Sequence, residues 1–177
     1  MPPAGWQMTT NSVGWFLTSD GSSAYWEIPT WDSQYACSND DAAGSGADGS
    51  VDYLILPELD LRETDTYNLY FDSFYNQEYG TQVATIEYTY DNGTTWEVLG
   101  TLPPSDEWEA FEVSLASVSG LDSDPVMLAF HSDDGGAWSS GWAVDNVSVS
   151  NGLIDPPGGY HVYLDGTFVA ETDTTFY

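Results

Sequence analysis

The chain has 177 residues, is 41% hydrophobic, and carries 29 acidic residues against one basic residue, for a formal charge of −28. That length and apolar share suit one domain with a small appendage and exclude general disorder. With Arg62 as its only basic residue, the chain offers no cationic surface to phosphates, which excludes nucleic acid as a partner and disfavours anionic membrane.

Such a chain repels itself and is expected to gain stability from salt or bound divalent cations. Cys37 is the only cysteine, so no intrachain disulfide can form. The opening MPPAGWQM lacks the positive and apolar regions of a signal peptide. No apolar run approaches the length of a transmembrane helix, so membrane insertion is not expected.

Helical periodicity is almost absent. Strand-length runs rich in aromatic and β-branched residues recur between Gly, Asn, Asp and Pro. The first part holds short apolar runs at Val13–Thr18 and Ala24–Ile28, with Trp6, Trp15 and Trp26 as large core candidates. Strands are then expected at Val51–Leu56, Tyr67–Tyr75 and Gln82–Tyr90, the last placing Ala84, Ile86, Tyr88 and Tyr90 on one face. Asp91-Asn92-Gly93 signals a hairpin turn, from which Thr95–Leu99 returns. Trp108–Leu115, Pro125–His131 and Gly141–Ser150 complete the set.

About nine or ten strands with turn signals between them predict an all-β, two-sheet antiparallel sandwich, with jelly-roll topology ahead of an immunoglobulin-like Greek key. The sandwich is expected to span residues 1–150, followed by a linker at 151–159 (NGLIDPPGG). Residues 160–177 read as a β-hairpin tail around Asp165-Gly166, the start of a truncated next domain or a strand pair for a sheet edge.

Ala36–Leu61 begins as a glycine-rich acidic loop bearing Asn39, Asp40, Asp41, Asp48 and Asp52, and ends as an apolar strand. Oxygen ligands anchored beside a core strand suit a hard cation such as Ca²⁺, although the spacing is not that of an EF-hand. Period two puts Asp145 on the same face as Ala143, Val147 and Val149, where an inward carboxylate needs a compensating partner. The expectation is one shared site, formed by Asn39, Asp40 and Asp41 from the loop and Asp145 from the last strand. The alternatives are a solvated acidic loop and a β-bulge that turns Asp145 outward.

A second candidate surrounds Gly135-Gly136, where Trp138 could stack on a sugar ring while Asp133 and Asp134 accept its hydroxyls. Trp142 reads as core and His131 as a strand-end residue. Trp31, Tyr35, Tyr75 and Tyr79 are further aromatic candidates, open between core and ligand contact. No nucleophile elbow, zinc-type histidine cluster or phosphate loop is present, so enzyme readings lack a motif.

The runs SNDDAAGSGADGSVDYLILPELDL, YDNGTTWEVL and MLAFHSDDGGAWSSGWAVDNVSVS, in that order, resemble the cleaved-adhesin, MAM-like jelly-roll domain of gingipain haemagglutinin regions. The resemblance covers roughly residues 3–150, and YHVYLDGTFVAETDTTFY is similar to the middle strands of a fibronectin type III-like module. It implies an extracellular or cell-surface, non-enzymatic adhesion or carbohydrate-recognition domain with structural calcium. The family's acidic loop falls on Asn39, Asp40 and Asp41, and its terminal aspartate on Asp145. The expected partner is therefore a glycan or a surface protein. The alternative is a structural subunit of an extracellular assembly that self-associates by adding the C-terminal hairpin to a neighbour's sheet edge.

Overall fold

The computed structural model describes residues 5–12, 14–62, 66–120 and 123–151, together with the backbone strands 160–164 and 167–172. Ten strands form the sandwich: β1 (Gln7–Thr10), β2 (Phe16–Thr18), β3 (Tyr35–Asn39), β4 (Val51–Ile55), β5 (Asn68–Tyr75), β6 (Val83–Thr89), β7 (Glu97–Thr101), β8 (Ser105–Ser114), β9 (Met127–Asp133) and β10 (Gly141–Ser150). A four-residue helix, α1 (Asp40–Ala43), follows β3.

The first sheet runs β1-β4-β9-β6-β7 and the second β2-β3-β10-β5-β8, five strands each, with every pairing antiparallel. From β3 to β6 and again from β7 to β10 the chain alternates between the sheets, the winding expected of a jelly roll. Strands β11 (Tyr160–Leu164) and β12 (Thr167–Thr172) form a separate two-stranded sheet, the hairpin read in the tail. Of the linker expected at 151–159, residues 152–159 lie outside the described residues.

Alternation places the core. On β5, Leu69, Phe71 and Tyr75 face inward; on β6, Ala84 and Ile86 do; on β9, Leu128 and Phe130. Trp15 and Trp142 meet edge to face among them, with ring centroids 5.4 Å apart. A second cluster lies on the outer side of the second sheet, where Trp26 and Ile28 cover Cys37, Phe74 and Ala143. Ala24–Ile28 is therefore not a strand: it belongs to a connection that packs Trp26 flat against the sheet. Burial keeps the Cys37 thiol protonated, pushing its pKa well above the thiol range.

The Asn92-Gly93 signal marks a real reversal, with φ of 57° and 82°, but inside a loop of several residues between β6 and β7. The last strand departs from regular alternation. The β10–β5 register shifts between Asp145 and Ser148, and Asn146 takes a φ of 51°. Val147 and Val149 consequently pack into the main core, while Ala143 lies on the outer side with Asp145 two residues on.

Candidate aromatic platform at the loop end

The ends of β3, β5 and β9 and the starts of β4, β6 and β10 gather at one end of the sandwich. Here the chain brings together Tyr25, Tyr79 and Trp138 from three separate connections. Tyr25 stands edge-on to both partners, 5.7 Å from Trp138 and 6.2 Å from Tyr79, and Tyr79 lies 5.3 Å from Trp138. Tyr25 is 60% exposed and the other two rings are partly exposed, an unusual amount of aromatic surface to leave in water.

Asp41 ties the platform together. Its Oδ2 accepts the Tyr25 backbone N–H at 2.9 Å and its Oδ1 accepts the Trp138 indole N–H at 3.2 Å. The 76–81 connection is pressed against the 134–140 loop at Gly80, whose φ is 78°. A Cβ there would stand 2.6 Å from the Trp138 carbonyl oxygen, so only glycine permits this approach. Glu78 next to Tyr79 raises the Tyr79 hydroxyl pKa by charge and hydrogen bonding, with smaller contributions from Tyr25 and Asp41.

The aspartates read from the sequence have diverged in role. Asp134 is 2% exposed, and its carboxylate accepts from the backbone N–H groups of Gly49, Ser50 and Gly136 at 2.6–2.8 Å. It fastens the acidic loop to the 134–140 loop and is too buried to meet a sugar. Asp133 is partly exposed and accepts from Gly135 N–H at 2.8 Å, closing the turn that precedes Trp138. Of the ligand-contact trio, Trp138 alone lies on the platform.

The four-residue cation site does not assemble. Asn39 caps α1, accepting from Ala42 N–H at 2.8 Å, and donates to the Gly21 carbonyl at 2.6 Å. Gly141, not Asp145, pairs with Asn39, so Asp145 lies four residues further along β10, about 13 Å at the ordinary strand rise. Asp145 accepts from the Trp31 indole at 2.7 Å and from the Ser33 hydroxyl, pinning the 19–34 connection to the second sheet. The physical reason is that Asp145 follows Ala143 in regular register onto the outer side of the sheet, and the bulge that comes after it, at Asn146, returns only Val147 and Val149 to the core. Among the described residues no three His, Cys, Asp or Glu side chains are grouped to hold a metal ion.

Asp40 is the exception that keeps a cation in view. It is 4% exposed; Oδ2 accepts from Ser139 N–H at 2.6 Å, but the buried Oδ1 has no partner. Burial raises its pKa to about 6 against the lowering effect of the Ser139 bond, and Asp134, Asp48 and Asp52 push it further up. An orphaned, buried carboxylate oxygen among like charges fits a hard cation, and Asp40 is the one residue of the expected set that offers it. Asp52, by contrast, is fully buried and satisfied by Thr10, Ser38 and Ser50 hydroxyls at 2.5–2.9 Å.

A second polar–aromatic cluster, which strand patterning did not reveal, occupies the outer side of the first sheet. His131 Nδ1 lies 2.6 Å from Glu87 Oε1, and Thr85 donates to the same oxygen at 2.9 Å. Tyr53 stacks on His131 at 4.1 Å and Trp96 stacks on Tyr53 at 5.2 Å. Burial alone would raise the Glu87 pKa; the bonds from His131, Thr85 and Tyr53 outweigh it and hold the carboxylate below its ordinary value. Tyr35 and Tyr75 are likewise buried, their hydroxyl oxygens bonded to backbone, and neither is available to a ligand.

No protein-family model and no curated protein matches the sequence. Solved structures do, and they define the class: a β-sandwich of the kind found in adhesin and carbohydrate-binding domains. The K1 cleaved adhesin domain of Lys-gingipain from Porphyromonas gingivalis W83 matches with a TM-score of 0.57 at 15% identity, over 84% of this chain and 92% of that domain. The K3 domain of the same protein gives 0.58 at 15% identity, over 83% and 90%. TmCBM61, solved in complex with β-1,4-galactotriose, gives 0.52 at 12% identity, over 83% and 88%. The cleaved-adhesin resemblance therefore holds at the level of the fold; it does not bear on the likeness of residues 160–177 to a fibronectin type III-like module.

Proposed function

We propose that this domain is a non-catalytic, glycan-binding adhesion module of an extracellular or cell-surface protein, and that Tyr25, Tyr79 and Trp138 form its binding platform. The observation that carries the reading is the exposure of three mutually packed rings, two of them tied by Asp41, at one end of the sandwich. Aromatic faces flanked by oriented polar groups suit the apolar faces and hydroxyls of sugars. The fold hosts many functions, so it supports the reading only in company with the site. That a domain of similar fold was solved with a galacto-oligosaccharide adds to that support. Among the described residues no helix is long and apolar enough to cross a membrane.

Structural calcium is part of the proposal, at Asp40, whose orphaned Oδ1 supports it; backbone carbonyls and water would supply the remaining oxygens that calcium requires. Bound there, the cation would neutralise a buried charge and tie the end of β3 to the 134–140 loop.

The test is a broad glycan array followed by titration calorimetry on the best ligand. Trp138→Ala and Tyr25→Ala are each expected to weaken binding by roughly tenfold or more, since a lost stacking face removes on the order of 1–2 kcal/mol. Absence of binding across the array, or full affinity in both variants, would remove the reading.

A further inference from the structure

The rings say that a sugar face can stack; the charges around them say which sugars are admitted. Asp41 contributes its carboxylate to the platform, with one hydrogen bond on each oxygen and lone pairs to spare. Glu78 is exposed beside Tyr79, close enough to raise its hydroxyl pKa by charge and hydrogen bonding. Among the described residues no cationic side chain offsets the charge of Asp41 and Glu78: the only arginine or lysine of the chain, Arg62, forms a bidentate pair with Asp60. His131, the one histidine whose side chain is described, is bound to Glu87 on the outer side of the first sheet.

We propose that the platform selects glycans without acidic groups and favours those bearing a free, protonated amine, rejecting uronate-, sialate- and sulfate-bearing ones. This rests on the glycan-binding reading and names the ligand class for the same site. Rejection follows because an anionic substituent must lose water beside carboxylates with no donor charge to meet it. Preference for an amine follows from the lone pairs of Asp41 and Glu78 together with the attraction of ammonium to ring faces. The rings touch one another at centroid distances of 5.3–6.2 Å, leaving no hollow between them, so the ammonium would sit on the rim beside a stacked sugar and not inside an aromatic cage. Two unit charges about 7 Å from a ligand charge in a watery setting change affinity by roughly tenfold at low salt.

The experiment compares, on each backbone that binds, the neutral oligosaccharide with its free-amine and its carboxylate-bearing forms, at low and at raised salt. The expected order is amine, then neutral, then acid, with roughly tenfold steps at low salt that shrink as salt screens them. Glu78→Gln and Asp41→Asn should each narrow the gap between amine and acid, and Glu78, being exposed, can be changed without threat to the fold. Thermal melts of both variants confirm that folding is intact. Acidic forms binding as well as neutral ones would overturn the selectivity while leaving glycan binding in place. A gap unaltered by Glu78→Gln and Asp41→Asn would overturn it too, because net charge acting from afar would then be the cause. No binding by any form would remove the platform reading and this inference with it.

Discussion

Two regions of this sandwich are built from the same materials and come to opposite ends. At the loop end, Tyr25, Tyr79 and Trp138 meet Asp41; on the outer side of the first sheet, Tyr53, Trp96 and His131 meet Glu87. In the second, Tyr53 is stacked upon by both His131 and Trp96, Gly93 lies against the Trp96 indole, and the Glu87 carboxylate is bonded to His131 and Thr85. Its rings stack on one another and its carboxylate is bonded, with only the buried His131 Nε2 lacking a partner among the described residues, and it fastens the β6–β7 loop across the sheet. In the first, Tyr25 meets both partners edge-on and stays largely in water, and Asp41 keeps unused lone pairs. The lesson is that residue type does not make a binding site. What folding leaves open to solvent does.

The largest expected effect comes from forcing the loop end apart. Gly80→Ala puts a methyl group against the Trp138 backbone at a positive φ, so the 76–81 and 134–140 loops must separate. It should cost about 2–4 kcal/mol in urea denaturation and abolish glycan binding on the array. Full binding in this variant would show that the spacing of Tyr79 and Trp138 is irrelevant, and would break the comparison.

His131→Ala tests the closed region. It leaves the Glu87 carboxylate, only 7% exposed, with hydroxyl donors alone, at a cost of about 2–3 kcal/mol. Glycan affinity should be unchanged, because the variant touches nothing on the platform. A variant of normal stability that loses binding would reverse the roles assigned to the two regions.

Asp40→Asn carries the smallest effect and sharpens what lies beneath the platform. The Asp40 pKa is raised to about 6, chiefly by burial, so the folded state holds a proton that the unfolded state has already released between the ordinary aspartate value and 6. Its contribution to stability is therefore full below the ordinary aspartate value and is lost as pH rises through about 6. In EDTA at pH 7.5, Asp40→Asn should melt a few degrees above the parent, with the difference closing as pH falls towards 4. Added calcium should raise the parent midpoint and leave that of Asp40→Asn unmoved. A parent midpoint indifferent to calcium at fixed ionic strength would remove the cation from Asp40.

The linear chain by itself determined most of the architecture. Alternating patterns placed β4, β5, β6, β8, β9 and β10 to within a few residues, because a half-buried strand writes its two faces into neighbouring positions. Short strands without that alternation, β1 and β3, were not legible, since their neighbours in the sheet and not their own residues define them. Trp138 and Asp40 stood out from their Gly-rich settings. Tyr25 did not, because nothing local says that its ring meets Tyr79 and Trp138 from distant connections. The burial of Trp26 was legible in the sequence, but tertiary structure alone decided that Tyr25 is exposed beside Tyr79 and Trp138, and that Asp134 is consumed by the N–H groups of Gly49 and Ser50. It alone set the outer face on which Asp145 meets Trp31 and the bulge at Asn146 that returns Val147 and Val149 to the core. These outcomes depend on partners far away in the chain, and periodicity, being a property of neighbours, carries no record of them.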